Sequence, residues 1–165
     1  MSEVTRATHT TMPTHGAQSV AMPPLPRLAP KMLRISRQTE VIVHIDPSAD
    51  ALRSVISAIA THGVHLLAHS LCSNRWGSVL LFVADDSSKA CEALEHAGLR
   101  YKTDSVLCVE ADRRPALAAQ LGMQLMHQGI GVLYSYVSWT DAENLFAVFK
   151  TTDDERALAA LAARS

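Results

Sequence analysis

Apolar positions along the chain follow two periods that alternate. "EVIVHI" (Glu40–Ile45) is β-branched with the rhythm of a strand. Leu52, Val55, Ile56 and Ile59 then recur at i, i+3, i+4 and i+7, the spacing of a helix with one buried face, and Gly63 closes it. "VHLLAHSL" (Val64–Leu71) predicts a second strand and "SNRWG" (Ser73–Gly77) a hairpin connection. "SVLLFVA" (Ser78–Ala84) is apolar on both faces, which predicts a central strand. "DDSSKACEALEHAG" opens with capping residues and carries Ala90, Leu94 and Ala97 inward as far as Gly98, a short second helix. "LRYKTDSVLCVEA" (Leu99–Ala111) is extended, and long enough to end one unit and begin another.

The order then repeats. Gly63 and Gly129 stand at the same separation as Asp46 and Asp112. The steps from Ala90 to Ala157 and from Leu94 to Leu161 match each other and exceed that separation by one. A fixed period of this kind marks a duplicated unit. The second copy has a strand at Ser105–Ala111 and a helix carrying Leu117, Leu121 and Leu125. Strands at Ile130–Trp139 and Glu143–Lys150 flank the turn "TDA", and a last helix starts near Asp153. Each copy reads β-α-β-β-α-β, the split βαβ order of the ferredoxin-like fold. Right-handed crossovers put both helices of a unit on one face of its sheet. The expected fold class is therefore α+β: two tandem ferredoxin-like units with antiparallel sheets, residues 38–104 and 105–165. The second copy lacks an evident last strand, because Ser165 follows its second helix directly. An open sheet edge is a liability, and "KMLRIS" (Lys31–Ser36) or a partner subunit is the candidate to fill it.

Composition narrows the field. At 165 residues and 48% hydrophobic, the chain can build a core for two small units. A net charge of −1 and 5% aromatics offer neither the basic face nor the stacking platforms of a nucleic-acid binder. The longest apolar runs, such as Val79–Ala84, are too short to span a bilayer. Cys72, Cys91 and Cys108 are widely spaced with no CxxC, which argues against a disulfide framework or structural zinc and fits a reducing cytoplasm. The segment from Met1 to Lys31 holds most of the prolines and has no apolar period, the composition of a disordered tail. That segment has no signal-peptide pattern, and Met22 and Met32 are alternative starts.

"VEADRRPALAAQLGMQLMHQGIGVLYSYV" (Val109–Val137) resembles an ACT domain, a small amino-acid-sensing module, through Asp112, Pro115, Leu117, Gly129 and Ile130. The first copy matches more loosely through Asp46, Leu52, Gly63 and Val64. The resemblance runs from about Glu40 to the C-terminus and is to stand-alone bacterial proteins of two tandem ACT domains. It implies a regulatory protein that binds a small molecule, an amino acid, without catalytic activity or cofactor. It also implies a homodimer and a partner enzyme or regulator that reads the ligand-dependent arrangement. Ligands of such modules sit between domains, near the loop after the first strand. There the first amides of the next helix lack partners, and the helix dipole adds ~0.3–1 kcal/mol for an anion.

The residues this places at a ligand are Asp46, Ser48, Asp50 and His65 in the first copy, and Asp112, Arg113, Arg114 and Gly131 in the second. Arg113 or Arg114 would pair with a carboxylate or phosphate. Two departures stand out. Pro115 occupies the place expected of a loop glycine, with Ala49 or Asp50 there in the first copy, and His65 and Gly131 replace the usual Asn of the second strand. A proline removes one amide donor from an anion site. These departures favour an alternative, a ligand-free ACT-type dimerisation module that associates through sheet edges.

Other clusters point to structure. His44, His62, His65 and His69 are close in sequence, with His65 and His69 expected on one strand face, but surface histidines are the simpler reading than a metal site. The three cysteines are expected to be buried small hydrophobes. Tyr134 and Tyr136 share a strand face and either line an interface or pack a core. No Gly-rich phosphate loop, zincin motif or acid–base pair is present.

Overall fold

The structure, a computed structural model, describes residues 33–75, 77–112, 114, 116–139 and 144–163. The proline-rich tail, Arg113, Pro115 and the "TDA" turn lie outside the described residues. Ten elements follow in order: β1 (Leu33–Ile45), α1 (Ala49–Thr61), β2 (Leu66–Asn74), β3 (Gly77–Ala84) and α2 (Ser87–His96), then β4 (Tyr101–Asp112), α3 (Leu117–His127), β5 (Val132–Trp139), β6 (Asn144–Thr151) and α4 (Asp154–Ala162). The α+β order and both β-α-β-β-α runs match the expectation from periodicity.

The sheets do not stay separate. All six strands join one antiparallel sheet in the order β2-β3-β1-β4-β6-β5. The cause is the length of β1 and β4. β1 pairs with β4 from Leu33·Ala111 to Val43·Tyr101, but with β3 only over Glu40–Ile45. β4 in turn pairs with β6 only over Leu107–Asp112. Each long strand thus serves both halves. Leu33–Thr39 takes the place of the last strand that the second copy lacks, and Leu33 and Ile35 pack on that half's core. Tyr101–Asp104 closes the first half. The ladder keeps the duplication symmetry: Val41·Thr103 and Arg37·Leu107 are equivalent pairs, with Thr39·Ser105 at the centre.

Helices cover one face of this sheet. Asp86 caps α2 by accepting from Lys89 N at 2.9 Å, and Asp153 caps α4 by accepting from Arg156 N at 3.0 Å. Beneath α1 and α2 lie Val41, Val43, Leu80 and Phe82; beneath α3 and α4 lie Leu107, Val109, Ala147 and Phe149. No described helix covers the opposite face, yet Ala68 and Val83 of the first half are fully buried there together with Val106, Cys108, Phe146 and Val148 of the second. The sheet therefore folds on itself. Its end strands β2 and β5 approach to within 8 Å, Cα to Cα, although they stand at opposite ends of the sheet order. The long strands turn the corner, as strands do when they pass from one packed sheet to another.

Glu40 sits at that corner, fully buried. A carboxylate in an apolar core is costly unless its oxygens are satisfied. Here Oε2 accepts from the Tyr134 hydroxyl and Oε1 from the Tyr136 hydroxyl at 2.8 Å. Both phenols reach it from β5, on the far side of the second half. Burial, reinforced by the carboxylate beside them, pushes both tyrosines above their ordinary value.

Two outcomes follow. Glu40→Ala leaves two hydroxyls without an acceptor and is expected to cost ~2–4 kcal/mol in denaturant unfolding, Glu40→Gln less, and Tyr136→Phe ~1 kcal/mol. A cycle between Glu40→Ala and Tyr136→Phe should be clearly non-additive. A pKa raised on folding favours the neutral phenol, so its stabilisation is complete below the unfolded value of ~10 and is lost as pH rises through the folded values. Tyrosinate absorbance should accordingly stay low through about pH 10 and appear together with unfolding. All three tyrosines contribute to this, because Glu95's hydrogen bond first, then Cys91, also raises Tyr101.

Candidate functional site

The loop between β1 and α1 is largely committed to its own geometry. Ser48 N donates to Asp46 O at 2.7 Å, and Ser48 Oγ accepts from Ala51 N at 3.2 Å as the helix cap. Asp50 is exposed and pairs with Arg53 at 3.5 Å, a surface contact worth ~0–1 kcal/mol. Asp46 borders a cleft of about 480 Å³ with His44, Asn74, Ser78 and Arg100.

His65 and Gly131 act through their backbones. His65 N donates to Asp85 Oδ1 at 3.0 Å, and Asp85 N returns a bond to His65 O at 3.0 Å. At the equivalent place Gly131 N donates to Thr152 Oγ1 at 3.0 Å, and Thr152 N returns a bond to Gly131 O at 2.9 Å. Both pairs tie the segment before the second strand of each half to the end of the third. The backbones approach so closely at the second pair that a Cβ on Gly131 would lie 2.9 Å from Thr152 Cγ2.

Near α3, Asp112 Oδ2 accepts from Arg114 Nε at 2.9 Å, both half-buried. Arg113 lies outside the described residues. The left-handed conformation that a loop glycine normally supplies falls on Ala116, with φ of 62°, and α3 starts there without a side-chain cap. Asp46 and Asp112 end antiparallel strands, so the two predicted clusters lie at opposite ends of the β1/β4 ribbon, with ~40 Å of strand between them. One ligand cannot touch both sets in the same chain.

A cavity of about 750 Å³ lies elsewhere, where α2 leads into β4. Its walls are Glu95, Leu99 and Arg100, then Tyr101, Lys102 and Thr103, with His44 from β1. It adjoins the smaller cleft through His44 and Arg100. Tyr101 OH donates to Glu95 Oε1 at 2.5 Å. Sequence reading missed this set because Leu99–Ala111 looked like a plain bridging strand. The available signal was "RYK", two cations alternating with an aromatic at a strand start.

Next along β4, Lys150 Nζ donates to Asp104 Oδ1 and to Ser105 O, each at 2.8 Å. That bond holds the Asp104 carboxyl below its usual range. The histidines do not converge. His62 stacks on His96 at 5.5 Å, and β2 starts only at Leu66 with a register shift between Leu66 and Ala68, so His65 and His69 do not share a strand face as expected. Among the described residues no group of three His, Cys, Asp or Glu is placed to hold a metal. Cys108 is buried, and that burial pushes its thiol up to about 12. Cys91 is half-buried; Cys72 is exposed, contrary to expectation, because β2 runs past the packed corner toward the hairpin.

No protein-family profile and no curated protein matches the chain. Solved structures do. Protein BT0572 from Bacteroides thetaiotaomicron superposes with a TM-score of 0.70 at 16% identity, over 78% of this chain and 89% of that one. The regulatory subunit of aspartate kinase from Thermus thermophilus, in ligand-free form, gives 0.59 at 15% identity, over 83% and 99%. Its counterpart from Thermus flavus gives 0.56 at 16%, over 83% and 99%. These likenesses establish the fold alone: two α+β halves of ferredoxin-like strand–helix order, as expected from the sequence.

The Gly131 contact yields a direct check. Gly131→Ala should lower stability by ~1–3 kcal/mol through overpacking. Adding Thr152→Ser removes Cγ2 while keeping the Oγ1 acceptor, and should recover most of that loss in thermal unfolding.

Proposed function

We propose that the chain is a regulatory protein that binds a small molecule, an amino acid, and passes its occupancy on as a change in domain or subunit arrangement. The observation that carries this reading is the sharing of β1 and β4. A ligand that biases the geometry of one half strains strands that the other half also uses. The likeness in fold to aspartate kinase regulatory subunits supports it. The size of the response is bounded by the ligand's differential affinity for the two arrangements.

Catalysis has no part in this reading. Cys108, Tyr134 and Tyr136 are held neutral, which suits packing rather than nucleophilic or base chemistry. No described helix is long and apolar enough to cross a membrane, and the free thiols suit a reducing cytoplasm. Asp46 remains next to the ligand as a border of the joined clefts. Asp112 and Arg114 form a second, separate anion-binding candidate. A partner enzyme or regulator completes the reading.

One feature favours the alternative of a ligand-free dimerisation module. β5 is an edge strand without a charged residue, and Leu133, Val137 and Trp139 on it are 62%, 40% and 54% exposed. Uncharged open edges invite pairing, and a second copy of this chain would supply it. The two readings are compatible if the dimer is the unit that responds.

A thermal-shift panel of the twenty amino acids tests the proposal. At one hundred times its dissociation constant a ligand adds ~2.7 kcal/mol, a rise of roughly 5–10 °C for a chain of this size. A single responding amino acid is the expected result. A flat panel from a well-folded protein, together with a concentration-dependent dimer in native mass spectrometry, would leave the dimerisation module in its place.

A further inference from the structure

The large cavity is built on an open strand edge. β4 has β1 on one side from Tyr101 to Ala111, but β6 joins its other side only from Leu107. Ser105 reveals which backbone groups point outward over the unpaired stretch: its carbonyl accepts from Lys150 of β6 at 2.8 Å, so it faces the β6 side. N–H and C=O of one strand residue point the same way, and the direction repeats every second residue. Tyr101 and Thr103 therefore turn both backbone groups toward the cavity side. Lys150 and Asp104 already occupy Ser105, whose N–H donates to Asp104 Oδ1 at 2.8 Å, and this bounds the free edge.

Two cations stand around that edge. Arg100 and Lys102 flank Tyr101, with His44 on the neighbouring strand. Arg53, Arg114, Lys150 and Arg156 each make an ion pair, whereas Arg100 and Lys102, like Arg34, Arg37 and Lys89, make none among the described residues. Leu99 and Tyr101 supply an apolar wall, and Glu95 is oriented by the Tyr101 hydroxyl at 2.5 Å. Duplication repeats this set only in part. Arg34 stands where Arg100 does, but in the other copy Glu110 stands where His44 does, Ser36 where Lys102 does, and Ala162 where Glu95 does.

We propose that this cavity binds an acidic amino acid, one molecule per chain. Arg100 takes a carboxylate with its guanidinium fork, Lys102 takes the second carboxylate, the outward amides of Tyr101 and Thr103 complete the anion contacts, and Glu95 accepts the ammonium. The proposal rests on the small-molecule reading above. It moves the site from the loops after β1 and β4 to the start of β4.

Isothermal titration of the full chain with L-aspartate, L-glutamate and succinate tests it, alongside Arg100→Gln, Lys102→Gln and, as a control on the exposed face of α4, Glu155→Gln. The expected result is one site for an acidic amino acid, weaker binding of succinate because it lacks the ammonium, and a loss of affinity of about tenfold or more in each cation variant. Glu155→Gln should bind like the parent, and far-ultraviolet circular dichroism should be unchanged throughout. Parent-like affinity in both cation variants overturns the site. An amino acid that binds, but is not acidic and is indifferent to Arg100 and Lys102, overturns the site and leaves the small-molecule reading standing. If none of the twenty binds, both fall.

Discussion

The ladder between β1 and β4 is the constraint on which the rest of this fold depends. Neither half has a complete sheet of its own. The first half needs Tyr101–Asp104 from the strand that starts the second, and the second needs Leu33–Thr39 from the strand that starts the first. Pulling the halves apart would break this ladder and expose two apolar sheet edges at once. The two copies are therefore expected to fold and unfold as one cooperative unit rather than as independent domains. The same sharing gives any ligand-induced strain a covalent and hydrogen-bonded route between halves.

Glu40 shows how the duplicated halves have diverged at their junction. Its equivalent in the second copy is Val106, an ordinary apolar partner of the inner core. A buried carboxylate is rarely the most stabilising choice, since an apolar replacement of the whole cluster is often neutral or better. What it does supply is direction. Two phenols on β5 must meet two oxygens on β1, and this sets how far the sheet folds over. One bent arrangement is then favoured among the many that apolar packing alone would tolerate.

The loops singled out by resemblance also make structural contacts. Ser48 caps α1, and His65 and Gly131 lock each half's second strand to its third, each through one backbone–backbone bond and one bond from its amide to a side-chain oxygen. Repeated use of one contact in both copies is the mark of a folding device. At the start of β4, Arg100 and Lys102 share a cavity with outward-facing backbone groups, and of the two cations only Arg100 has a basic counterpart, Arg34, in the other copy.

The sequence by itself determined the local elements and their order, because each rests on contacts a few residues apart. Helical spacing at Leu52–Ile59, capping at Asp86 and Asp153, and the echo of Asp46 in Asp112 were all legible. They sufficed for the α+β class and the ACT-type resemblance. Lys31–Ser36 was legible as a candidate for the missing strand and Leu99–Ala111 as a shared one, but only the tertiary structure decided that Leu33–Thr39 takes that place, since strand pairing depends on which distant edge is left open. It also decided that Glu40 meets Tyr134 and Tyr136, far along the chain, and that His44 joins Arg100 and Lys102. Those meetings follow from a sheet that folds onto itself, and no period along the chain encodes that bend.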